Sequence, residues 1–296
     1  MFPVPHYHET VPDGFQYLLR HVPYFRQLYR FWLFWRSAES LRPIAEVDPD
    51  WADQEHSVSE LNDMMRQQLA EAIAVQYPER PDLLEKVMPD YPPAAKRIVV
   101  DNGVYAQALH RDNVTLTTTG IARITPQGVE TVDGHVHELD VIIYATGFQS
   151  TRFLTPMKVV GRGGVDLHSW WDGDARAYLG MTVPGFPNFF MLYGPNTNIV
   201  VNGSIIWFSE CEVRYVMDAI RTILEGDHKG IDVKADVHDR YNEEVDAENR
   251  RMVWGVAEVN SWYKNARGRV TQNWPFPLLE FWKRTNKVDP ADYEIL

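Results

Sequence analysis

Residues 140 to 148 read DVIIYATGF, and the fold turns on how that stretch is understood. Four apolar residues in a row, Val141 to Tyr144, predict a buried strand. Ala145, Thr146 and Gly147 behind it are small enough for the backbone to turn tightly at the strand's carboxyl end. That end is where α/β sheets bind nucleotides. A dinucleotide fingerprint also needs three glycines at fixed spacing at the opening of a helix, so that main-chain amides and the helix N-terminus meet the pyrophosphate. None of the 18 glycines satisfies it. The nearest approach, Gly161, Gly163 and Gly164, has Asp166 in the third fingerprint place and no helical pattern around it, and reads as a turn. Half of a nucleotide-binding apparatus is therefore expected.

The chain has 296 residues, 45% hydrophobic and 24% charged, which suffices for one large or two ordinary domains and excludes a disordered chain. A formal charge of −12 opposes nonspecific binding to nucleic acid or anionic membranes, and no Lys/Arg block reverses it locally. The single cysteine, Cys211, excludes internal disulfides and fits a reducing, cytoplasmic setting. No apolar run approaches the roughly 18 to 20 residues of a bilayer span, no segment reads as a signal peptide, and no repeat is present.

Outward from the opening stretch, three patterns follow. Residues 1 to about 91 predict helices: LRHVPYFRQLYRFWLFWR (Leu19 to Arg36) mixes aromatics with arginines, and Ser57-x-x-Glu60 reads as a capping box ahead of Leu61, Met65, Leu69 and Ile73. Pro89, Pro92 and Pro93 close that region. Lys96 to Tyr144 predicts short strands (IVV, VTLTT, IARI, VETV, VHELDVIIY) between Asn, Gly and Asp turns. Beyond 145, FFMLYG (Phe189 to Gly194) predicts a strand entering a Gly-Pro-Asn turn. A helix through Val213, Met217, Ile220 and Leu224 follows and stops at Gly226, and the tail from Val237 predicts helix before Trp262.

Five pieces in order, YPPAAKR (Tyr91 to Arg97), LDVIIYATGF, WWDG (Trp170 to Gly173), YLGMTVPGFPNFFMLYGPNTN (Tyr178 to Asn198) and NSWYKN (Asn260 to Asn265), resemble the flavin-containing monooxygenases, and within them the type I Baeyer-Villiger monooxygenases. The resemblance covers essentially the whole chain. It implies an α/β fold, an incomplete flavoprotein with two dinucleotide-binding domains and a helical insertion. Residues 1–91 correspond to the helical insertion of the NADPH domain, 92–139 to that domain's returning strands, and 140–296 to the C-terminal half of the FAD domain. It implies that Met1 corresponds to an internal position of the family. The FAD glycine loop, the histidine-containing fingerprint and the NADPH glycine loop then lie outside the sequence.

The same resemblance assigns residues. Arg97 matches the family's active-site arginine, whose fixed guanidinium suits the anion that forms when oxygen adds to reduced flavin. Lys96 matches the residue that meets the 2′-phosphate of NADPH. Ile98 stands where the family continues with proline. On residues alone, Lys96 and Arg97 read as an exposed basic pair before a strand. Ala145, Thr146 and Gly147, and Gly194, Pro195 and Asn196, are the expected flavin-facing backbone, with Asn202 and Ser204 near the following helix start; each group taken singly is only a turn. Trp262 matches a tryptophan on a loop that closes over NADP, next to Tyr263. Trp32, Trp35, Trp170 and Trp171 read as core packing. His6 and His8 lack ligand spacing, no Gly-x-Ser-x-Gly elbow exists, and Cys211 reads as a buried thiol, so neither a metal site nor a nucleophilic triad is expected.

The expected activity is FAD- and NADPH-dependent insertion of one oxygen atom from O2 into a small organic ketone, or oxidation of a sulfide or amine. An N-terminal half chain is the expected partner. Alone, the chain is expected to be inactive, to hold little FAD and to expose apolar strands. The alternative is a noncatalytic interaction or regulatory protein derived from such an enzyme.

Overall fold

The computed structural model describes residues 2–3, 9–37, 41–201 and 203–296; His6 and His8 lie outside them. Strand β1 (Phe2–Pro3) is followed by helices α1 (Asp13–His21), α2 (Phe25–Ser37), α3 (Arg42–Ala45), α4 (Glu60–Ala74) and α5 (Pro81–Val87), as the first ninety residues predict. Helix α1 opens on Asp13 and closes on Arg20 and His21, charges that complement the helix dipole at both ends. Helix α4 is capped two residues later than expected. Ser59 Oγ accepts the Asn62 amide at 3.2 Å, whereas Ser57 is buried and its hydroxyl accepts from Trp51 Nε1 at 3.0 Å. The indole holds Ser57 in the core, so the next serine caps the helix.

The chain divides into two compact units. The smaller holds Gln67–Pro89 and Val99–Gln149 with the N-terminal strand. In it β1 runs parallel to β2 (Val100–Asp101), shorter than the predicted IVV strand. Asp101 then accepts the amides of Gly103 and Tyr105, both at 2.9 Å, and starts an unforeseen helix α6 (Val104–Leu109). VTLTT forms no strand. The next three segments pair as expected into an antiparallel meander of β3 (Ile121–Thr125), β4 (Gly128–Thr131) and β5 (Val136–Glu138). A small core of Ile73, Tyr77, Leu83, Ala106 and Leu109 joins the helices of this unit.

The opening stretch departs from expectation. Residues 141–149 form no regular element, and Ile143 is 85% and Phe148 98% exposed. A strand needs hydrogen-bonded neighbours, and one buried on both faces needs covering layers too. No strand among the described residues pairs with 141–144, so its apolar run encodes a burial that these residues do not supply.

The larger unit, Glu9–Arg66, Asp90–Ile98 and Ser150–Leu296, carries three apolar cores. Helix α7 (Leu167–Trp171) anchors one of them through Leu167 and Trp171. The long helix α8 (Ile205–Glu225) ends at Gly226 as expected, and the stripe read from the sequence is its outer face. Phe208, Cys211, Tyr215 and Ala219 enter the core, while Val213, Met217, Ile220 and Leu224 are exposed. Against the inner face lie the antiparallel pair β6 (Ile231–Val233) and β7 (Tyr293–Ile295), with α9 (Ala235–Asn249), α10 (Val253–Val256) and α11 (Leu278–Thr285) completing the unit. Phe208 stacks on Phe281 at 4.1 Å between ring centres, each phenyl contributing about 1.5–3 kcal/mol on burial. FFMLYG is not a strand. Met191 is buried and its amide donates to the Met181 carbonyl (2.9 Å), while Leu192 and Tyr193 are half exposed.

Of the tryptophans assigned to packing, only Trp171 is buried; Trp35 is 74% exposed and Trp32 and Trp170 are partly so. Helix α2 meets α8 through Phe34 against Trp207 and an Arg30–Glu210 ion pair, which turns Trp35 and Phe31 outward, stacked on each other. No helix among the described residues is long and apolar enough to cross a membrane.

Candidate functional site

Arg97 stands at the end of a loop fixed from below. Asn62, fully buried, donates through Nδ2 to the carbonyls of Ile44 (2.8 Å) and Pro93 (3.1 Å) and accepts the Val58 amide (3.3 Å). Ala94 adopts a left-handed φ of 67°, rare for a residue with a Cβ, and Ala94 and Ala95 are buried in the core that contains Trp254 and Tyr263. The loop thus delivers its two cations outward. Lys96 Nζ sits 4.7 Å from the centre of the Tyr91 ring, and Arg97 is exposed.

Arg97 opens onto a cleft of about 700 Å³ shared with Tyr193, Asn198, Val200 and the start of α8 at Gly203, Ser204 and Ile205; Arg36 and Leu41 line it as well. No carboxylate pairs with Arg97 among the described residues. Its charge is felt instead by two tyrosine hydroxyls: burial raises the pKa of Tyr193 and Tyr263, and Arg97 opposes the rise in both. The Tyr263 hydroxyl, fully buried, has no hydrogen-bond partner among the described residues. Ser204 is the N-cap of α8, with extended φ/ψ and no side-chain cap bond. The positive end of a 21-residue helix therefore lies beside the Arg97 guanidinium, which has no carboxylate partner among the described residues, an arrangement suited to an anionic or electron-rich ligand edge.

The cleft wall is a chain of hydrogen bonds. Tyr193, itself left-handed at φ 56°, donates its hydroxyl to Asn198 Oδ1 (2.9 Å), and Asn198 Nδ2 donates to Asn273 Oδ1 (2.8 Å). Behind it the Tyr193 amide donates to both oxygens of Glu212, at 3.3 and 3.1 Å. Burial pushes the Glu212 carboxyl up to about 7, the Tyr193 amide opposing.

Of the residues the sequence singles out, Arg97 and Ser204 line the cleft and Lys96 adjoins it in sequence. Gly194, Pro195 and Asn196 do not line it; they brace it. A Cβ on Gly194 would lie 2.1 Å from the Gly180 carbonyl oxygen. Asn196 donates to the carbonyls of Val270 (2.9 Å) and Asn273 (3.2 Å) and accepts from Arg269 Nη2 (3.1 Å), which consumes its side chain. Trp262 is half-buried on the Ala94–Ala95 core, 4.7 Å from the Tyr263 ring, and its carbonyl accepts from Ser150 Oγ (3.1 Å). Ala145, Thr146 and Gly147 belong to the smaller unit in an irregular stretch, with open space around Gly147 at φ 87°. Asn202 lies outside the described residues. Cys211 is buried as expected, its thiol pushed up to about 11 by burial. No group of three metal-ligating side chains occurs among the described residues.

Sequence reasoning missed Tyr193, Asn198, Glu212 and Arg269. Glu212 was detectable: it falls on the same helical face as Phe208, Cys211 and Tyr215, where an acid is out of place.

No protein-family profile matches the chain. It is 36% identical over 295 residues to an uncharacterized monooxygenase of Sinorhizobium fredii, covering 99% of this chain and 44% of the relative. A Baeyer-Villiger monooxygenase of Pseudomonas aeruginosa is 37% identical over 216 residues, 73% of this chain and 41% of the relative. Among solved structures, oxidized steroid monooxygenase bound to NADP superposes with a TM-score of 0.76 at 25% identity over 100% of this chain and 60% of that one. OTEMO in complex with FAD and NADP gives 0.69 at 29% identity over 80% and 45%. The chain spans less than half the length of these curated relatives. It belongs to the flavin-dependent monooxygenases of Baeyer-Villiger type, of which it represents a C-terminal portion.

Proposed function

We propose that the cleft beside Arg97 is one wall of the oxygenation site of an FAD- and NADPH-dependent Baeyer-Villiger-type monooxygenase acting with O2 on a small organic ketone, sulfide or amine. The observation that carries this reading is the Arg97 guanidinium, without a carboxylate partner among the described residues and beside the N-terminus of α8. The residues fit the polar edge of a flavin ring, since a fixed cation and a helix N-terminus both favour negative charge. They do not fit its pyrophosphate, for which no glycine triplet exists in this sequence. Bound flavin would supply electron transfer from NADPH to O2. This chain's part is then electrostatic and steric. Arg97 would hold a fixed positive charge where negative charge develops, Lys96 would meet the 2′-phosphate of NADPH, Trp262 would shield the nicotinamide side from water, and Ser204 would offer a polar group at the helix start.

Within this reading, residues 1–91, 92–139 and 140–296 are the helical insertion, the returning strands of the NADPH domain and the C-terminal half of the FAD domain. Ala145, Thr146 and Gly147 make the close backbone approach to flavin. The chain turns over only with a partner sequence bearing the two glycine loops, in the cytoplasm. Co-expression with such a partner tests it. NADPH- and O2-dependent product should form only in the pair, and Arg97→Ala should lose product while NADPH oxidation continues, diverted to hydrogen peroxide. Removing one such anion-stabilising group costs roughly 3–4 kcal/mol of transition-state stabilisation, about 10²–10³ in rate. Full, coupled oxygenation in Arg97→Ala would refute the assignment. A second reading, a noncatalytic interaction protein, is favoured by the outward aromatic face of α2; it requires a colourless, monodisperse chain without oxygenase activity in any pairing.

A further inference from the structure

Helix α8 turns Phe208, Cys211, Tyr215 and Ala219 into an apolar core, and on that face stands one carboxylic acid, Glu212, 1% exposed. No ion pair reaches it among the described residues. The titratable groups that feel its charge are the Cys211 thiol beside it on α8, the Tyr193 hydroxyl on the cleft loop and the Tyr241 hydroxyl on α9. None is a cation; the charges of Arg284, Arg269 and Glu244 reach Tyr241. Burying an unpaired carboxylate is expensive, which favours the neutral acid. Its one hydrogen-bond partner among the described residues is the Tyr193 amide.

That contact is the rear end of a short relay. Tyr193 holds a left-handed backbone that is strained for a residue with a side chain. Its amide is tied to Glu212 at the back and its hydroxyl to Asn198 at the front, and Tyr193 and Asn198 line the cleft. A carboxylate accepts an amide N–H more strongly than a neutral acid does. Ionisation therefore tightens the rear tie and protonation slackens it.

We propose that Glu212 is a positioning residue for the cleft, and that one proton taken up or lost inside the core moves Tyr193 and, through its hydroxyl, Asn198. Its importance for oxygenation rests on the cleft being the site proposed above; the coupling itself does not. The raised Glu212 pKa, about 7, places the change near neutrality.

The experiment is nuclear magnetic resonance of the full chain labelled with 15N at tyrosine and asparagine, from pH 5.5 to 8.5, with no flavin or nicotinamide added. Tyr193→Phe and Asn198→Asp identify the two signals by their disappearance. The Tyr193 amide and the Asn198 side-chain amide should titrate with one common midpoint. In Tyr193→Phe the Asn198 response should vanish, and in Glu212→Gln both responses should vanish while the remaining spectrum is kept. Absence of any inflection at Tyr193, an inflection that stops there without reaching Asn198, or persistence in folded Glu212→Gln would overturn the proposal. Should Glu212→Gln not fold, agreement or disagreement of the two parent midpoints decides. Because no cofactor is added, both midpoints can be measured even in a chain that never binds flavin, and failure here leaves the Arg97 reading untouched.

Discussion

Replacing Arg269 by alanine removes the brace behind the Asn196 turn, and the structure sets the size of the effect. The Arg269 side chain is 11% exposed and reaches four acceptors: Asp246 Oδ1 at 2.8 Å, Asp174 Oδ1 at 3.2 Å, the Ala175 carbonyl at 3.0 Å and Asn196 Oδ1 at 3.1 Å. Breaking a buried ion pair costs roughly 3–5 kcal/mol. Here Arg176 also binds both carboxylates, Asp174 at 3.1 Å and Asp246 at 2.8 Å, so neither acid is stranded and the lower end applies. The Ala175 carbonyl and Asn196 Oδ1 each lose a donor, at about 1–3 kcal/mol unless water replaces it. The expected loss is about 3 kcal/mol if water satisfies both oxygens and about 5 kcal/mol or more if both stay unsatisfied. Urea unfolding followed by far-ultraviolet circular dichroism and tryptophan fluorescence measures it. Arg269→Lys should recover less than half, because an ammonium cannot span four acceptors in a planar fork. A loss below about 1 kcal/mol, or full rescue by lysine, would refute the account of the turn.

Glu212→Gln should change the pH dependence of stability. The folded pKa is raised from 4.5 to about 7, so folding retains a proton that unfolding releases, and the parent loses stability as pH rises from about 4.5 through 7. At about 1.4 kcal/mol per pH unit the variant should be up to about 3 kcal/mol the more stable at pH 8 and nearly equal near pH 4.5, as melts at both pH values will show. Gly194→Ala drives a Cβ toward the Gly180 carbonyl at 2.1 Å and should cost about 1–3 kcal/mol, with altered Tyr193 resonances; an unchanged melt would mean that the loop yields freely. The exposed Val141, Ile143, Tyr144 and Phe148 should bind a hydrophobic dye and scatter light, both diminished by Ile143→Asp with Phe148→Ser; a parent that binds no dye contradicts the exposure.

The helices of the first ninety residues and the 121–138 meander were legible because their patterns are local: periodicity, turn residues and caps act within a few positions. The 141–144 run was legible as apolar but not as a strand, since pairing is supplied by other segments. The course of helix α8 and its stop at Gly226 were legible, but which of its faces turns inward was not. The helix is apolar on both sides, so Val213, Met217, Ile220 and Leu224 gave as clear a stripe as Phe208, Cys211, Tyr215 and Ala219, and only the packing of Phe281 and Tyr293 distinguishes them. The motif singled out Arg97, which lines the cleft. Tyr193, Asn198 and Arg269 were not legible, because their roles arise where loops distant in sequence close on one another.

Arg97 also has a kinetic meaning. The chain carries 41 acidic against 29 basic side chains, so an incoming anion meets a repulsive far field before it reaches the Arg97 guanidinium in the cleft, which no carboxylate neutralises among the described residues. The two forces have different ranges. At 0.1 M salt the screening length is about 10 Å, which suppresses repulsion from scattered surface acids more than attraction at contact. Anion capture at this cleft is therefore expected to quicken with the first increments of ionic strength and to slow only at higher salt, the reverse of the monotonic decline shown by cation-rich proteins.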